Sequence, residues 1–275
     1  SKYCADKSPI PTVRRLMEDE LGYDATVFAE VAELGWLGIA IPESLGGVGL
    51  TLAEVVPVVE QMGRHLMAGP FVSTTLVAQV LLEAGTTQQK SRLLPELASG
   101  KPATLALMEP HADWDPFHID CRAERRGGRV ILRGTKTFVK DAHCSSLIVA
   151  SVELEGAAAL VLLDPEAIAQ CEQRRAAVVD ETRRSCQLVL DGVSVAEDAL
   201  LDVSMAKVAL EHVELAGSLL ATAEMCGGAA ACINDTVEYL RERKQFGKPI
   251  GSYQALKHPI VHAHVGIEQA RSHLY

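Results

Sequence analysis

The sequence lacks the features that mark several classes of protein. Its seven cysteines are odd in number and include no CxxC pair, which disfavours zinc ribbons, thioredoxin-like redox sites and disulfide frameworks. No apolar run reaches the roughly 18 residues that a membrane-spanning helix needs. The net charge of −10 disfavours a general binder of nucleic acids or anionic membranes. We therefore expect a cytoplasmic protein with reduced thiols, no nucleic-acid partner and no membrane span.

The two ends of the sequence lack the signs of a complete chain. The opening Ser1-Lys2-Tyr3-Cys4 has neither an initiator methionine nor the apolar core of a signal peptide. The closing Arg271-Ser272-His273-Leu274-Tyr275 stops inside a helical pattern. We expect these 275 residues to be part of a longer chain.

What is present is an ordinary globular composition, with 48% apolar and 23% charged residues. Helical, strand-rich and again helical patterns follow one another along the chain. We predict an α+β protein with an N-terminal helical domain at 1–103, a middle antiparallel β-barrel domain at 104–202 and a C-terminal helical bundle at 203–275 that is incomplete in this chain.

The helical pattern of the first block carries recognisable start signals. Asp24 precedes a helical apolar repeat and is expected to cap it. Thr51 and Glu54 have the spacing of a capping box that opens the next helix. Two further helices are predicted near 73–84 and 87–98.

The middle block consists of short β-rich apolar runs, and Gly127-Gly128 between two of them predicts a hairpin turn. Because no helical crossovers separate the runs, we predict an antiparallel sheet or small barrel. The predicted strands are Thr104–Met108, Val130–Leu132, Leu147–Val152, Ala158–Leu163 and Cys186–Leu190.

The last block predicts two long helices joined by a turn. The first begins near Val203 and contains Gly227-Gly228, a pair that allows close packing or a slight bend. After a turn at Pro249-Ile250-Gly251, Ser252 starts the second helix. Two such helices make half of an antiparallel four-helix bundle.

Histidines on this last helix raise the question of a metal site. His258 and His262 have the i, i+4 spacing that places two imidazoles on one helix face, and His264 lies nearby. No carboxylate or cysteine lies at ligand spacing from them, so surface histidines are favoured. We predict no metal site.

Cations cluster between Arg241 and Lys248, at the end of a helix and beside a glycine turn. One interpretation is compensation of the helix dipole with a glycine cap. The other is a clamp for a diphosphate, in which the guanidinium of Arg243 binds phosphate oxygens.

Five segments in order resemble the acyl-CoA dehydrogenases. The segment from Tyr239 to Gln254 resembles the family's Y-x3-R-x-Q-F-G-K-x-I/L-x-x-x-Q pattern. The other four are Leu34–Gly49 (LGxLGxxxPExxGGxG), Ala106–Pro110 (A-L/M-T-E-P), Leu132–Phe138 (L-x-G-x-K-x-W/F) and Leu190–Asp198 (F-D-x-V-x-V-P). The similarity covers essentially the whole chain.

The resemblance implies an FAD-dependent enzyme that desaturates an acyl-CoA thioester between its α and β carbons. A carboxylate would remove the α-proton while the β-hydrogen leaves as hydride to the flavin. FAD would lie between the barrel and the bundle, across a subunit interface. The implied partners are an acyl-CoA substrate, an electron acceptor and a homologous subunit.

The resemblance also implies the residues that bind FAD. Arg243 would bind the diphosphate of the FAD in the neighbouring subunit, Gln245 and Phe246 would line that site, and Gln254 would reach the adenosine. At the flavin ring, the corresponding residues are Met108, Glu109, Phe138 and Lys140.

Some positions depart from the family pattern. Met108 replaces a threonine that would donate a hydrogen bond, and Asp113-Trp114 replaces a Gly-Ser pair that approaches phosphate, which adds charge and bulk. Phe138 and Lys140 stand in the segment where the family has W-I-T-N. The flavin half-site of the middle domain is therefore expected to be degraded, and the half-site at Arg243 intact.

The catalytic base is unknown. Most members of the family have a glutamate that would lie beyond Tyr275. A minority place it on the first bundle helix, where the matching position is Gly217. Glu211 and Glu214 are the nearest candidates on that helix.

Four interpretations of the chain's function accompany the resemblance. The chain is interpreted first as one subunit of a heteromeric α2β2 enzyme acting on fatty or steroid side-chain acyl-CoA. The alternatives are an ordinary homotetrameric dehydrogenase and a non-catalytic, flavin-free scaffold. A flavin monooxygenase of the same fold is a less favoured possibility.

Overall fold

The computed structural model describes residues 2–111 and 115–275 and divides the chain into two compact units. The larger unit comprises residues 14–52 and 68–217, and the smaller comprises residues 1–13, 53–67 and 218–275. The helices are α1 (Lys2–Lys7), α2 (Ile10–Glu18), α3 (Ala25–Glu33), α4 (Leu52–Arg64), α5 (Phe71–Ala84), α6 (Thr87–Ala98), α7 (Pro165–Gln170), α8 (Ala206–Glu242) and α9 (Gln254–Leu274). The strands are β1 (Ala103–Ala106), β2 (Arg122–Arg126), β3 (Arg129–Arg133), β4 (Thr135–Lys140), β5 (Leu147–Leu154), β6 (Ala157–Leu163), β7 (Glu172–Ala176), β8 (Ser185–Val189), β9 (Ser194–Ala196), β10 (Lys244–Gln245) and β11 (Lys248–Pro249).

Helix α3 of the larger unit begins at its predicted cap, and α6 begins at a capping box that was not predicted. The Asp24 carboxylate accepts hydrogen bonds from the amides of Thr26 and Val27 at the start of α3. Thr86 and Gln89 form a reciprocal capping box that opens α6. The predicted helices near 73–84 and 87–98 are confirmed as α5 and α6.

The β region is an open half-barrel, so the prediction of a closed antiparallel barrel is wrong. One sheet has the order β1-β5-β2-β3-β9 with β6 also on β5, and a second has the order β4-β8-β7. The β2–β3 hairpin turns at Gly127 and Gly128, both at positive φ, as predicted.

Two of the strand pairs are parallel, which the sequence reasoning excluded. β1 pairs with residues 147–150 of β5, and β2 pairs with residues 153 and 154 of the same strand. Both therefore occupy the edge of β5 opposite β6. The absence of a crossover helix led to the wrong prediction, because here the crossover from β1 to β5 is made by the β2–β3 hairpin and β4.

Two apolar cores hold the larger unit together. One lies between the two sheets and includes Leu132, Ile148 and Leu188, each fully buried. The other packs α5, α6 and the first turns of α8 on β5 and β6, around residues such as Leu81 and Leu160. β5 contributes alternate side chains to both cores, as a strand covered on both faces must.

In the smaller unit α4 and α8 approach each other at glycines. A Cβ on Gly227 would lie 1.9 Å from the Glu60 carbonyl oxygen, and one on Gly63 would lie 2.2 Å from that of Glu224. The Glu60 carboxylate is buried and accepts hydrogen bonds from Arg271 and Tyr275 at the end of α9. The close packing predicted for Gly227-Gly228 is confirmed at Gly227.

One helical segment among the described residues, Val203–Glu242, is long and apolar enough to cross a membrane by length and composition. The prediction that the chain has no membrane-spanning helix considered only unbroken apolar runs. This segment escaped that criterion because charged residues interrupt it. A third of its apolar window is buried within the protein, and core helices of globular proteins meet the same criterion.

We expect Gly227→Ala to lower the free energy of unfolding by about 1–3 kcal/mol, because the added Cβ overlaps the backbone of α4. Gly228→Ala is the matched control: its Cβ meets the Gly63 carbonyl at 3.7 Å, and alanine favours the helix by up to about 1 kcal/mol. Urea unfolding followed by circular dichroism compares the two. Equal decreases in unfolding free energy for the two variants would contradict the close approach of α4 and α8 at Gly227.

Candidate functional site

A buried ion pair includes Glu109, one of the predicted flavin-ring residues. The ammonium of Lys136 on β4 lies 2.5 Å from the carboxylate of Glu109, and both side chains are almost fully buried. Lys136 also donates to the hydroxyl of Ser151 at 2.9 Å and to the carbonyl of Leu107 at 3.3 Å. The ammonium is therefore fully engaged in hydrogen bonds on three sides.

Glu109 also closes the loop that follows β1. Its carboxylate accepts hydrogen bonds from the amides of Asp120 at 2.7 Å and Cys121 at 3.1 Å. Burial by itself raises the pKa of Glu109, but the hydrogen bond and charge of Lys136, with the two amides, outweigh it and hold the pKa below the usual range. The carboxylate is therefore charged and occupied by structural contacts.

The burial of the Glu109 side chain leaves its predicted place at the flavin ring untested, because that prediction concerns the backbone amide. No role was predicted for Lys136, whose ammonium pairs with the Glu109 carboxylate. Lys136 stands at the K of L-x-G-x-K-x-F between two threonines, and this position gives no local signal of burial in the sequence. Charged residues are almost never fully buried without a partner, which points to a buried counter-ion.

Phe138 lies on an irregularity of β4. The pairing of β4 with β8 shifts register between Lys136 and Val139, and Phe138 has a positive φ of 50°. This bulge turns the phenyl ring outward, so that 55% of the residue is exposed. A large apolar side chain held outward by strained backbone suits a site that binds a flat ring.

The exposed face of Phe138 borders a cavity of about 430 Å³. The buried hydroxyl of Thr137 has no hydrogen-bond partner within the described part of the chain. The cavity is lined by Pro110, Thr137, Phe138, Arg174, Arg175, Ala176, Ala177 and Gln187. An aromatic wall, a buried hydroxyl and two guanidinium groups, of which Arg174 is paired with Glu172, suit a flat polar ring that carries an anionic chain, as in FAD.

Met108 and Lys140 flank this surface. The carbonyl of Met108 accepts a hydrogen bond from the amide of Thr137, which fixes the segment against β4. Lys140 is exposed at the end of β4, and its carbonyl accepts from the Thr104 hydroxyl. The substituted pair Asp113-Trp114 lies outside the described residues.

In the smaller unit, the predicted diphosphate clamp forms a two-stranded turn. Lys244 and Gln245 of β10 pair with β11, and the amide of Ile250 donates to the carbonyl of Arg243. Phe246 has a φ of 52° and is 91% exposed at the tip. The turn therefore presents an aromatic ring and several cations to its surroundings.

Tyr253 stabilises that turn through contacts with three of its residues. Its hydroxyl donates to the Gln245 carbonyl, its ring meets Phe246 edge-on, and Lys248 lies 4.4 Å from its ring centroid. Gln254 follows as the exposed first residue of α9. The fold thus places Arg243, Gln245, Phe246 and Gln254 in one local structure, and their roles in binding FAD stay a prediction.

The two base candidates lie on the exposed surface of α8. Glu211 forms an i, i+4 pair with Lys207 at 3.8 Å, and Glu214 is exposed one turn further on. Neither is among the described residues that line the cavity beside Phe138. Their assignment stays a prediction.

Comparison with known proteins identifies the family. A model of the acyl-CoA dehydrogenase N-terminal domain matches residues 2–101, and one of the C-terminal domain matches residues 207–275. The acyl-CoA dehydrogenase IpdE2 of Mycolicibacterium smegmatis is 30% identical over 264 residues, which cover 94% of this chain and 68% of IpdE2. The chain belongs to the acyl-CoA dehydrogenase family. Members of this family are FAD flavoproteins and oxidoreductases acting on CH–CH donors.

Solved members of the acyl-CoA dehydrogenase family share the fold. A variant of the steroid ACAD Tcur3481-Tcur3483 superposes with a TM-score of 0.87 at 28% identity, covering 99% of this chain and 73% of that chain. The ChsE4-ChsE5 complex from Mycobacterium tuberculosis gives a TM-score of 0.84 at 24% identity, covering 100% and 76%. The chain spans about two thirds of the length of the curated relatives it matches.

We expect Lys136→Met to lower the free energy of unfolding by about 3–5 kcal/mol at neutral pH, because it leaves the Glu109 carboxylate buried without its counter-ion. Adding Glu109→Gln removes the uncompensated charge, keeps an acceptor for the two amides and restores much of the loss. Lys140→Met on the exposed end of the same strand is the control, with a change within about 0.5 kcal/mol.

The pH dependence of stability gives a second test of the ion pair. The folded-state pKa of Glu109 is lowered, so its contribution is complete above the ordinary glutamate pKa of about 4.3 and is lost as the pH falls below it. The Lys136→Met variant lacks this contribution of Glu109 to stability. The difference in unfolding free energy between the wild type and the variant should therefore become smaller as the pH falls. A gap that is constant with pH would argue against a charged Glu109.

Proposed function

We propose that this chain is an FAD-binding acyl-CoA dehydrogenase subunit that takes part in α,β-desaturation of a fatty or steroid side-chain acyl-CoA. The observation that carries the proposal is the braced turn at Arg243–Gly247. A phenylalanine that is 91% exposed, between cations and on a backbone at positive φ, adds little buried surface to its own unit. It suits a ligand with aromatic and anionic parts.

In this proposal the chain lends the Arg243 half-site to FAD that is held mainly by its partner subunit. Arg243 binds the diphosphate, Gln245 and Phe246 line the site, and Gln254 reaches the adenosine. Bound FAD would supply the acceptor for the hydride that leaves the substrate's β carbon.

At the ring, Phe138 packs against the flavin and Thr137 offers its unpaired hydroxyl. Met108 and Glu109 contribute backbone only, since the Glu109 carboxylate is held by Lys136. Lys140 adds positive charge at the end of β4.

The proposed assembly is heteromeric, with a homologous chain of the same family as partner. Two of the similar solved structures carry paired names, Tcur3481-Tcur3483 and ChsE4-ChsE5, and the latter is described as a complex. The first is named as a steroid ACAD, which supports a steroid side-chain thioester as substrate. A cytoplasmic location, a separate electron acceptor and domain boundaries at 103/104 and 202/203 complete the proposal.

The decisive measurement is the flavin absorbance of the purified chain, alone and co-expressed with candidate partner chains of the family. Flavin found only in the co-purified complex, below one FAD per chain, supports the shared-site subunit. If the chain purified alone carries one flavin per chain, the shared-site proposal is wrong and the chain is an ordinary homo-oligomeric dehydrogenase. Absence of flavin from both samples would favour the scaffold.

Within the flavin-containing complex, we expect Arg243→Ala to weaken FAD binding by about 10- to 100-fold, because it removes charge-assisted hydrogen bonds. Arg241→Ala is the matched control: it removes the same charge from the same exposed helix end and should change binding little. Arg243→Lys should restore only part of the affinity, since an ammonium lacks the planar fork. Equal effects at both arginines would reduce Arg243 to a helix-end charge.

A further inference from the structure

Two histidines and an aspartate meet where the loop after β1 begins and ends. Nδ1 of His111 lies 3.4 Å from Oδ2 of Asp120, and the rings of His111 and His118 stack with centroids 4.1 Å apart. One ligand atom from each of the three lies within 4.8 Å of the other two. Within residues 2–111 and 115–275, no other group of three or more His, Cys, Asp or Glu side chains meets this criterion.

We propose that His111, His118 and Asp120 bind a divalent transition-metal ion of the zinc type. Two imidazole nitrogens and one carboxylate oxygen are a donor set that zinc accepts, with water in the remaining position. Zinc–ligand bonds of about 2.0–2.2 Å put neighbouring tetrahedral donors about 3.3 Å apart. The His111–Asp120 separation already has this value, and rotation of exposed side chains brings in His118.

The backbone that carries these side chains is fixed without the metal. Glu109 accepts hydrogen bonds from the amides of Asp120 and Cys121, and Lys136 holds Glu109 in turn. The two ends of the loop are therefore tied side by side, with His111 two residues past one end and Asp120 at the other. A frame that is already ordered reduces the entropic cost of collecting the ligands.

The far side of the loop is also held in place. The His118 amide donates to the Asp115 carbonyl in a tight turn, and Phe117 lies against Lys207 of α8 with its ring centroid 5.9 Å from the ammonium. His118 thus enters the cluster from an anchored turn. The ion would cross-link this turn to the base of the loop, and the site does not depend on flavin binding.

The sequence gives no prediction of this site because the ligands do not follow a recognised spacing. His111 and His118 are separated by six residues, and Asp120 follows two positions later. The ion pair of Glu109 with Lys136, a long-range contact, is what brings the ends of this segment together.

Zinc titration of the EDTA-treated full-length chain tests the proposal by calorimetry. We expect one zinc ion per chain, and His118→Asn or Asp120→Asn to weaken binding at least about tenfold, since even partners outside the ligand shell commonly change affinity by that much. His258→Asn, an exposed histidine on α9, is the matched control and should leave binding unchanged.

The exposed thiol of Cys232 is an alternative ligand for added zinc. Binding of cobalt in place of zinc distinguishes a thiolate ligand from the proposed nitrogen and oxygen ligands by its absorption spectrum. Bound Co²⁺ should show no thiolate charge-transfer band, and Cys232→Ser should keep full binding. The proposal is overturned if the chain binds no zinc even when zinc is in excess over protein. It is also overturned if the double variant His111→Asn, His118→Asn binds zinc normally, or if Cys232→Ser abolishes zinc binding. Circular dichroism of each variant verifies that the fold is retained.

Discussion

The buried ion pair between Lys136 and Glu109 is the contact on which the candidate ring site depends. It joins β4 to the loop that follows β1 and, through Ser151, to the central strand β5. Exchanging such a pair for apolar residues is often neutral or stabilising, whereas removing one partner is costly. Its role is therefore better explained by position than by net stability. It fixes the loop and the bulged strand in a single arrangement.

That arrangement explains why Phe138 faces outward. Lys136 and Val139 both point into the protein, and two inward residues three positions apart require an extra residue in a strand of period two. The bulge accommodates that residue by placing Phe138 at positive φ. An exposed aromatic on β4 thus follows from burial of the lysine two positions before it.

Local signals in the sequence were sufficient for the helices and the hairpin. Asp24 caps α3 because its carboxylate reaches amides two and three residues away, and Gly127-Gly128 turns because both residues adopt positive φ. Neither feature needs distant partners. The parallel pairing of β1 with β5 and the contact of Glu109 with Lys136 join residues 27 to 44 positions apart, and no periodicity encodes them. The shape of the sheets and the ion pair at the candidate site therefore could not be predicted from the sequence.

The acidic composition of the chain and its proposed anionic cofactor are compatible because charge acts locally. At physiological ionic strength, charges beyond about 8 Å are largely screened, so a ligand at the Arg243 turn responds to the cations beside it. Those cations lie next to Phe246 and Tyr253, which offer flat apolar surface. Phosphate alone would use the cations and leave Phe246 in water, while an apolar ring alone would leave the cations without a counter-ion. A ligand that joins a diphosphate to aromatic rings, as the proposed cofactor does, satisfies both.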